Sequence, residues 1–402
     1  MNIIIFEDGN YKNLFPLNVL RPNFEIKCGA SNLLAKNLHT FPEGSAVFLH
    51  VRKTLQEYAV GRYPEANINN IDLKKFDAKK QYVFLNSKVI YSRHFFENLP
   101  KAKGDIVLTD KNKTVLYATS SGPNMKKAAA KINKGMPLTL ADFKKPKVKV
   151  TEHKEKNCKV IEYAWDALRF LEGELKKDVG HLCKDSNTLI HPKAKVAPIV
   201  ILDDSKGKIY VSEHAVIEPF TYVKGPCFIG KNVIVKAGSK IYGPTSIGEG
   251  SRVSGEISEC IFHARVNKQH DGFVGNSYFS EFVNLGADTV TSNLKNNYSK
   301  VRAKLFKKEY ETDLQFLGSI VGDHTKIGIN TMLNTGTVMG IFSNFAGGGF
   351  PDKFIDSFAW IVAGKKAAKY KIPDALKTAA IVMKRRGVNL TPQFEKLIKS
   401  KY

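Results

Sequence analysis

Aliphatic side chains stand six residues apart from Val211 through Ile217, Val223, Ile229, Val235, Ile241 and Ile247 to Val253, with small or polar residues between them. After a break the step returns as Val321, Ile327, Leu333, Met339 and Phe345, with Gly322, Gly328, Gly340 and Gly347 near the ends of the units. A helix repeats every ~3.6 residues and a lone strand every ~2, so neither produces a strict six. Each unit reads instead as one short flat strand plus a corner, its inward aliphatic stacking on the equivalent residue of the next coil. Three units close a coil, which predicts a left-handed parallel β-helix over residues 186–363. Gly, Asn and Asp are expected at the corners, where φ turns positive. The break at 254–320 collects most of the polar and His-containing segments and reads as an insertion on one face of the solenoid, the face that usually binds. A weaker start of the repeat lies at Ile190 to Val196, offset by an insertion from Pro198 to Lys208.

Upstream the pattern changes. Ile161, Ala164, Trp165, Leu168, Leu171, Leu175 and Val179 form an apolar stripe that predicts one amphipathic helix over 160–179. The basic segment Lys144 to Lys159 precedes it and marks a boundary near residue 145. Before it, short apolar runs (Asn2 to Phe6, Ala46 to Val51, Gln81 to Leu85, Asp105 to Thr109) alternate with helical stretches, as in a small α/β domain. The expected organisation is 1–145 α/β, 146–185 linker and connecting helix, 186–363 β-helix and 364–402 tail.

Composition narrows the class. The 402 residues are 43% hydrophobic and 25% charged, which excludes general disorder and a disulfide scaffold. Five cysteines without a CxxC pair suggest buried thiols rather than a zinc cluster. No apolar run is long enough for a membrane span and no signal peptide is visible, so a cytoplasmic protein without membrane partners is expected. The net charge of +24 points to polyanionic ligands. No recognisable nucleic-acid motif accompanies it, which disfavours nucleic acid and leaves small phosphorylated substrates.

The segments NKQHDGFVGNSYFSE (267–281), VNLGADTVTSNLKNNYSKVR (283–302) and GDHTKIGINTMLNTGTVMG (322–340) resemble the acetyltransferase half of the bifunctional N-acetylglucosamine-1-phosphate uridyltransferase / glucosamine-1-phosphate acetyltransferase family. Pro16-Leu17 and Arg21-Pro22 resemble a divergent branch with a short nucleotidyltransferase-like N-terminal domain. The resemblance implies acetyl transfer from acetyl-CoA to a hexosamine 1-phosphate, and nucleotidyl transfer using Mg2+ with a nucleoside triphosphate. It also implies a homotrimer with sites between subunits.

Position by position, the resemblance puts the catalytic base on His270. Such a base must take a proton from the sugar ammonium before its nitrogen attacks the thioester, and an imidazole titrates in the right range. Sugar contact falls on Asn284 and on Phe273, where the family has tyrosine. Phosphate contact falls on Lys240, with Lys300 and Arg302 as candidates by closeness in sequence, while the second phosphate lysine is replaced by Ser258. Contacts to acetyl-CoA fall on Ala287, Asn293 and Leu294. In the N-terminal half, Gly9, Lys12 and Arg21 are the nucleotide-binding candidates. The expected Gly-x-Gly-Thr-Arg loop is missing, however, and the strand that should end in a metal-binding aspartate ends as Leu85-Asn86-Ser87.

Two other classes compete. A zinc carbonic-anhydrase-like β-helix would use His263, His270 and His324, and a non-catalytic sugar-nucleotide-binding or scaffold protein would need none of this chemistry. The tail holds eleven Lys/Arg against Asp374 and Glu395. It is expected to be solvated, partly helical after Pro373, with charge suited to the phosphates of CoA.

Overall fold

Asn2–Phe6, a run of stiff β-branched and aromatic side chains, lies inside a seven-stranded sheet. The computed structural model describes every residue except 42, 72–79, 101–103, 145–147 and 153–157, so parts of the basic segment Lys144 to Lys159 lie outside the described residues. The strands run Lys149–Glu152, Ile106–Thr109, Val115–Ser120, Tyr82–Asn86, Asn2–Phe6, Ala46–Leu49, Asn67–Ile68 across the sheet. Val115–Ser120, which the sequence pattern does not single out, is antiparallel to both neighbours, and the other pairings are parallel. Ile3 and Ile5 pack into one apolar layer. Ile4 and Phe6 pack into the opposite one, with Met125, Ala129 and Ile132 of helix Gly122–Asn133.

The second half is a left-handed parallel β-helix with three faces. The first face runs from Thr188–Ile190 to Phe354–Ile355 and the second from Lys195–Val196 to Ala359–Val362. The third holds Ile201–Asp203 through Phe273–Gly275, then Val290–Thr291 and Met332–Leu333. Val211 to Val253 and Val321 to Phe345 form its inward stack, as their spacing predicts.

The break is not what the pattern suggests. Arg252 pairs with Asn267 and Asn267 with Asn284, so the coils continue through 254–293 with shortened corners that reset the six-residue phase. Only the following stretch leaves the solenoid, as a hairpin of Arg302–Leu305 and Lys308–Glu311.

The corner between the first and second faces is left-handed in eight successive coils, at His214, Asn232, Gly250, Arg265, Phe282, His324, Phe342 and Phe358. Only two of the eight are the Gly or Asn expected there. The rings of Phe282 and His324 stack at 4.8 Å, His324 and Phe342 at 4.6 Å, and Phe342 and Phe358 at 5.3 Å. A left-handed L-residue costs about 1–2 kcal/mol, and an aromatic pair returns about 0.5–1.5 kcal/mol. Three such pairs therefore offset about half of what the four stacked corners cost.

The stripe at 160–179 is split. Cys158–Val160 joins Val89–Tyr91 as an antiparallel strand. The Tyr163 amide donates to Asp166 Oδ2 at 2.8 Å, which starts the helix only at Asp166. Helix Leu171–Leu182 then buries Leu171, Leu175 and Val179 in the apolar layer under the first face of the β-helix.

The tail corrects the expectation of a solvated end. Helices Ile372–Lys384 and Pro392–Lys399 bury Ala375, Ala379, Met383, Leu397 and Ile398. They bridge the two halves of the chain. Lys396 pairs with Glu57 at 2.6 Å, Lys401 Nζ donates to Thr54 Oγ1 at 2.9 Å, and Tyr402 meets the ring of Phe358 edge-on at 5.2 Å.

Candidate functional site

His270 lies on the corner between the second and third faces, just after strand Asn267–Lys268. The coils touch there backbone to backbone: a Cβ on Gly255 would lie 2.7 Å from the carbonyl oxygen of Gly272. The Asp288 amide donates to the Asp271 carbonyl at 3.2 Å, which sets Ala287 and Asp288 on the same edge one coil further along. Asn284 sits on the second face, where its Oδ1 accepts from Asn267 Nδ2 at 2.8 Å. On the third face Lys240, Glu256 and Phe273 stand in register. Thus His270 and Ala287 share one edge, Asn284 flanks it on one side, and Lys240 and Phe273 flank it on the other. The His270 side chain is exposed, with no hydrogen-bond partner among the described residues.

Asn293 marks the far side of the third face. Its Nδ2 donates to Asn276 Oδ1 at 2.7 Å and passes over Gly275, where a Cβ would stand 2.7 Å from that nitrogen. Only a glycine leaves room for that amide. Leu294 lines an open depression of about 450 Å3 with Ser292, Lys295, Asn296, Asn334 and Thr335. An apolar wall, several amides and one cation are a donor set that fits the pantetheine chain of an acyl-CoA.

Lys300 and Arg302 are not brought to this edge. They belong to the protruding hairpin segment, where Lys300 pairs with Asp313 at 2.6 Å and Arg302 with Glu311 at 3.1 Å. That hairpin packs Phe306 on Phe15 and Tyr310 on Tyr163, next to the N-terminal half. Closeness in sequence to Asn293 misplaces them because the chain leaves the solenoid in between.

Two contributors escape a reading of the sequence. Lys268 is fully buried in the inward stack, paired with Val253 one coil back, and its Nζ donates to the carbonyl oxygens of His270 and, at 2.9 Å, Asp271. Burial holds its pKa down to about 8. Six residues before Val274, it falls on the inward step, and that spacing is the only signal that would have found it. Arg386 reaches Asn267 Oδ1 at 3.2 Å from 119 positions away, with no local signal at all.

The zinc arrangement is not assembled. His263 Nδ1 lies 3.2 Å from Arg21 and 3.1 Å from the Tyr278 hydroxyl, and His324 is buried within the ring stack. Both belong to the edge between the first and second faces, whereas His270 is on another.

In the N-terminal half, Gly9 and Lys12 follow the carboxyl end of Asn2–Phe6, the end at which open α/β sheets take ligands. Arg21 is elsewhere. It is buried at the junction of the two halves in an ion pair with Asp323, 3.9 Å from Glu281, which leaves no free guanidinium for a nucleotide. Burial raises the Asp323 carboxyl to about 6 despite that arginine.

The strand ends do not fit the Mg2+ that the fold implies. Asp8 Oδ2 is 3.0 Å from Lys88 Nζ and accepts from Asn86 Nδ2 at 3.0 Å. Lys88, fully buried, also pairs with Glu162 at 2.5 Å. Glu7 is engaged by Arg52 at 3.2 Å. Glu7 and Asp8 at this end already hold protein cations, and Asp110, after Ile106–Thr109, accepts from the Thr114 amide at 2.7 Å.

The chain thus joins an α/β domain to a hexapeptide-repeat β-helix with a histidine-bearing edge. Residues 3–187 match the family described as sugar nucleotidyl transferase. A bifunctional sugar-1-phosphate nucleotidylyltransferase/acetyltransferase of Sulfurisphaera tokodaii is 30% identical over 34% of this chain and 35% of its own length. The bifunctional protein GlmU of Methanocaldococcus jannaschii is 31% identical over 22% of this chain and 21% of its own. These matches make the chain similar, at low identity, to bifunctional sugar-1-phosphate nucleotidylyltransferase/acetyltransferases. The aligned stretches span about a third or less of these curated relatives. Among solved structures, a hexapeptide transferase family protein of Anaplasma phagocytophilum covers 54% of this chain and 93% of its own, at 13% identity and TM-score 0.21. The acetyltransferase domain of PglB from Neisseria gonorrhoeae, solved with acetyl coenzyme A, covers 58% and 79%, at 14% identity and TM-score 0.15. Overlaps that low carry no argument, and the fold rests on the strand ladders themselves.

Proposed function

We propose that the β-helix transfers an acetyl group from acetyl-CoA to the amine of a hexosamine 1-phosphate, with His270 as general base. The observation that carries this reading is the convergence of His270, Ala287, Asn284, Phe273 and Lys240 along one edge of the solenoid. His270 takes the proton from the sugar ammonium, and the freed nitrogen attacks the thioester carbonyl. Asn284 and Phe273 hold the sugar, Lys240 adds a cation across the edge from Asn284, and Asn293 and Leu294 face the acetyl donor. The protein acts as a homotrimer in the cytoplasm, and its basic surface draws in both phosphorylated substrates.

For the N-terminal half we favour binding without metal-dependent nucleotidyl transfer, since Asp8 and Glu162 are both engaged by Lys88. Its test is an assay of sugar-nucleotide formation from a sugar 1-phosphate and nucleoside triphosphates with Mg2+; robust turnover would overturn this second reading.

The principal test is release of free CoA thiol from acetyl-CoA over a panel of hexosamine 1-phosphates. General-base catalysis is worth about 10²–10⁴-fold. His270→Ala is expected to lose rate on that scale with little change in KM, and wild-type rates in that variant would exclude His270 as the base.

A further inference from the structure

Beside the base, the second face presents Arg252, Asn267 and Asn284 in consecutive coils, and the end of the tail helix lies over them. Arg386 Nη2 donates to Asn267 Oδ1 at 3.2 Å, and Asn267 Nδ2 donates to Asn284 Oδ1 at 2.8 Å. A guanidinium has only donors. It therefore fixes which way both amides turn, and the NH2 of Asn284 is left without a hydrogen-bond partner among the described residues. Arg252, Arg385 and Arg386 take part in no ion pair among the described residues. Burial, with Arg252 and Arg385 close by, works against the charge of Arg386. Guanidinium groups gathered without a carboxylate, next to an amide aimed as a donor, are a surface that lacks its anion.

We infer that Arg252 and Arg386 form a subsite for a phosphate monoester, with the Asn284 amide donating to a neighbouring oxygen of the same ligand. The inference rests on the acetyltransfer reading for the identity of that ligand. A sugar 1-phosphate and the 3′-phosphate of the acetyl donor both carry this group. The sugar 1-phosphate is favoured, since Asn284 and His270 border the same edge and Ser258 stands where the family resemblance puts a second phosphate lysine.

The test compares wild type with Arg252→Met, Arg386→Met and the double variant, with Arg386→Lys to keep the charge without the forked donor. Thiol release is measured against glucosamine 1-phosphate, glucosamine, acetyl-CoA and acetyl-dephospho-CoA. Binding of glucosamine 1-phosphate and of inorganic phosphate is measured by calorimetric titration. The double variant is expected to raise KM for glucosamine 1-phosphate about 10–100-fold, equivalent to ~1.4–2.8 kcal/mol in all, and to leave KM for glucosamine and acetyl-CoA unchanged. A rise confined to acetyl-CoA and absent with acetyl-dephospho-CoA would keep the monoester subsite and assign it to the donor. Unchanged constants for all four, with unchanged phosphate binding, would overturn it. If wild type acetylates no hexosamine, the acetyltransfer reading fails, while the titrations still decide the subsite.

Discussion

Lys268 occupies a position whose counterparts in the adjoining coils, Val253 and Leu285, are apolar. An ammonium there is tolerated because it donates to the carbonyls of His270 and Asp271, so it ties the corner that bears His270 to the core beneath. Its folded pKa of about 8 lies below the ~10.4 of an unfolded lysine. Below pH 8 both states carry the proton and stability is flat. From about pH 8 to 10 the unfolded chain binds more protons, so stability rises with pH. Asp271 and Asp288 oppose the shift without cancelling it. Lys268→Met is expected to keep or raise Tm at pH 7 and to slow acetyl transfer about tenfold by freeing the corner. The variant should also lose part of the rise in Tm between pH 8 and 10, and parallel Tm curves for the two proteins would refute this account. Position 268 escapes as a core site because a lysine at the inward step reads as surface, and the six-residue steps from Phe262 to Val274 are too short a run, between shortened steps, to announce themselves.

At the scale of elements, the corner ladder decides more than the glycines do. His324 is held neutral by burial, well below the usual histidine range, and its Nε2 has no hydrogen-bond partner among the described residues. Phe342 and Phe358 show that a phenylalanine accepts the same left-handed backbone in this column. His324→Phe would keep the stack and remove an unpaired buried nitrogen that costs about 1–3 kcal/mol. A rise in Tm of several degrees is expected in thermal unfolding, and a fall would mean that the nitrogen has a bonding role. Here the sequence is legible in part. Val211 to Val253 announce the solenoid because their side chains are alone in pointing inward, and the step survives as long as corners keep one length. Once coils shorten after Val253, residues such as Phe262, Val274 and Phe279 remain core but lose their phase. A ladder of rings at left-handed corners follows no propensity rule, because it pays back only when neighbouring coils supply the next ring.

Across the whole molecule, the junction between the halves is a charge contact. Asp323 sits on the β-helix and Arg21 on the N-terminal half, both buried, with Glu281, His263 and Tyr278 around them. Removing one partner of such a pair leaves a buried charge and costs about 3–5 kcal/mol. Arg21→Ala should therefore separate the unfolding of the two halves into distinct calorimetric transitions, whereas Lys12→Ala, at an exposed site, should leave a single one. A single transition at the wild-type temperature for Arg21→Ala would show that the junction does not depend on this pair. Contacts of this kind join residues hundreds of positions apart, as do those of the tail, and no local pattern announces them.

The stacked corners also act as a ruler. Parallel strands are ~4.8 Å apart, so the seven steps from His214 to Phe358 span roughly 34 Å. Helix Leu171–Leu182 grips the early coils while Arg21 reads the rung at Asp323. Adding or deleting one coil between Val211 and Val253 would slide those marks past each other by a full graduation, and Arg21 would meet the wrong rung. A free solenoid can change length by whole coils; this one is gauged by the domain that lies along it.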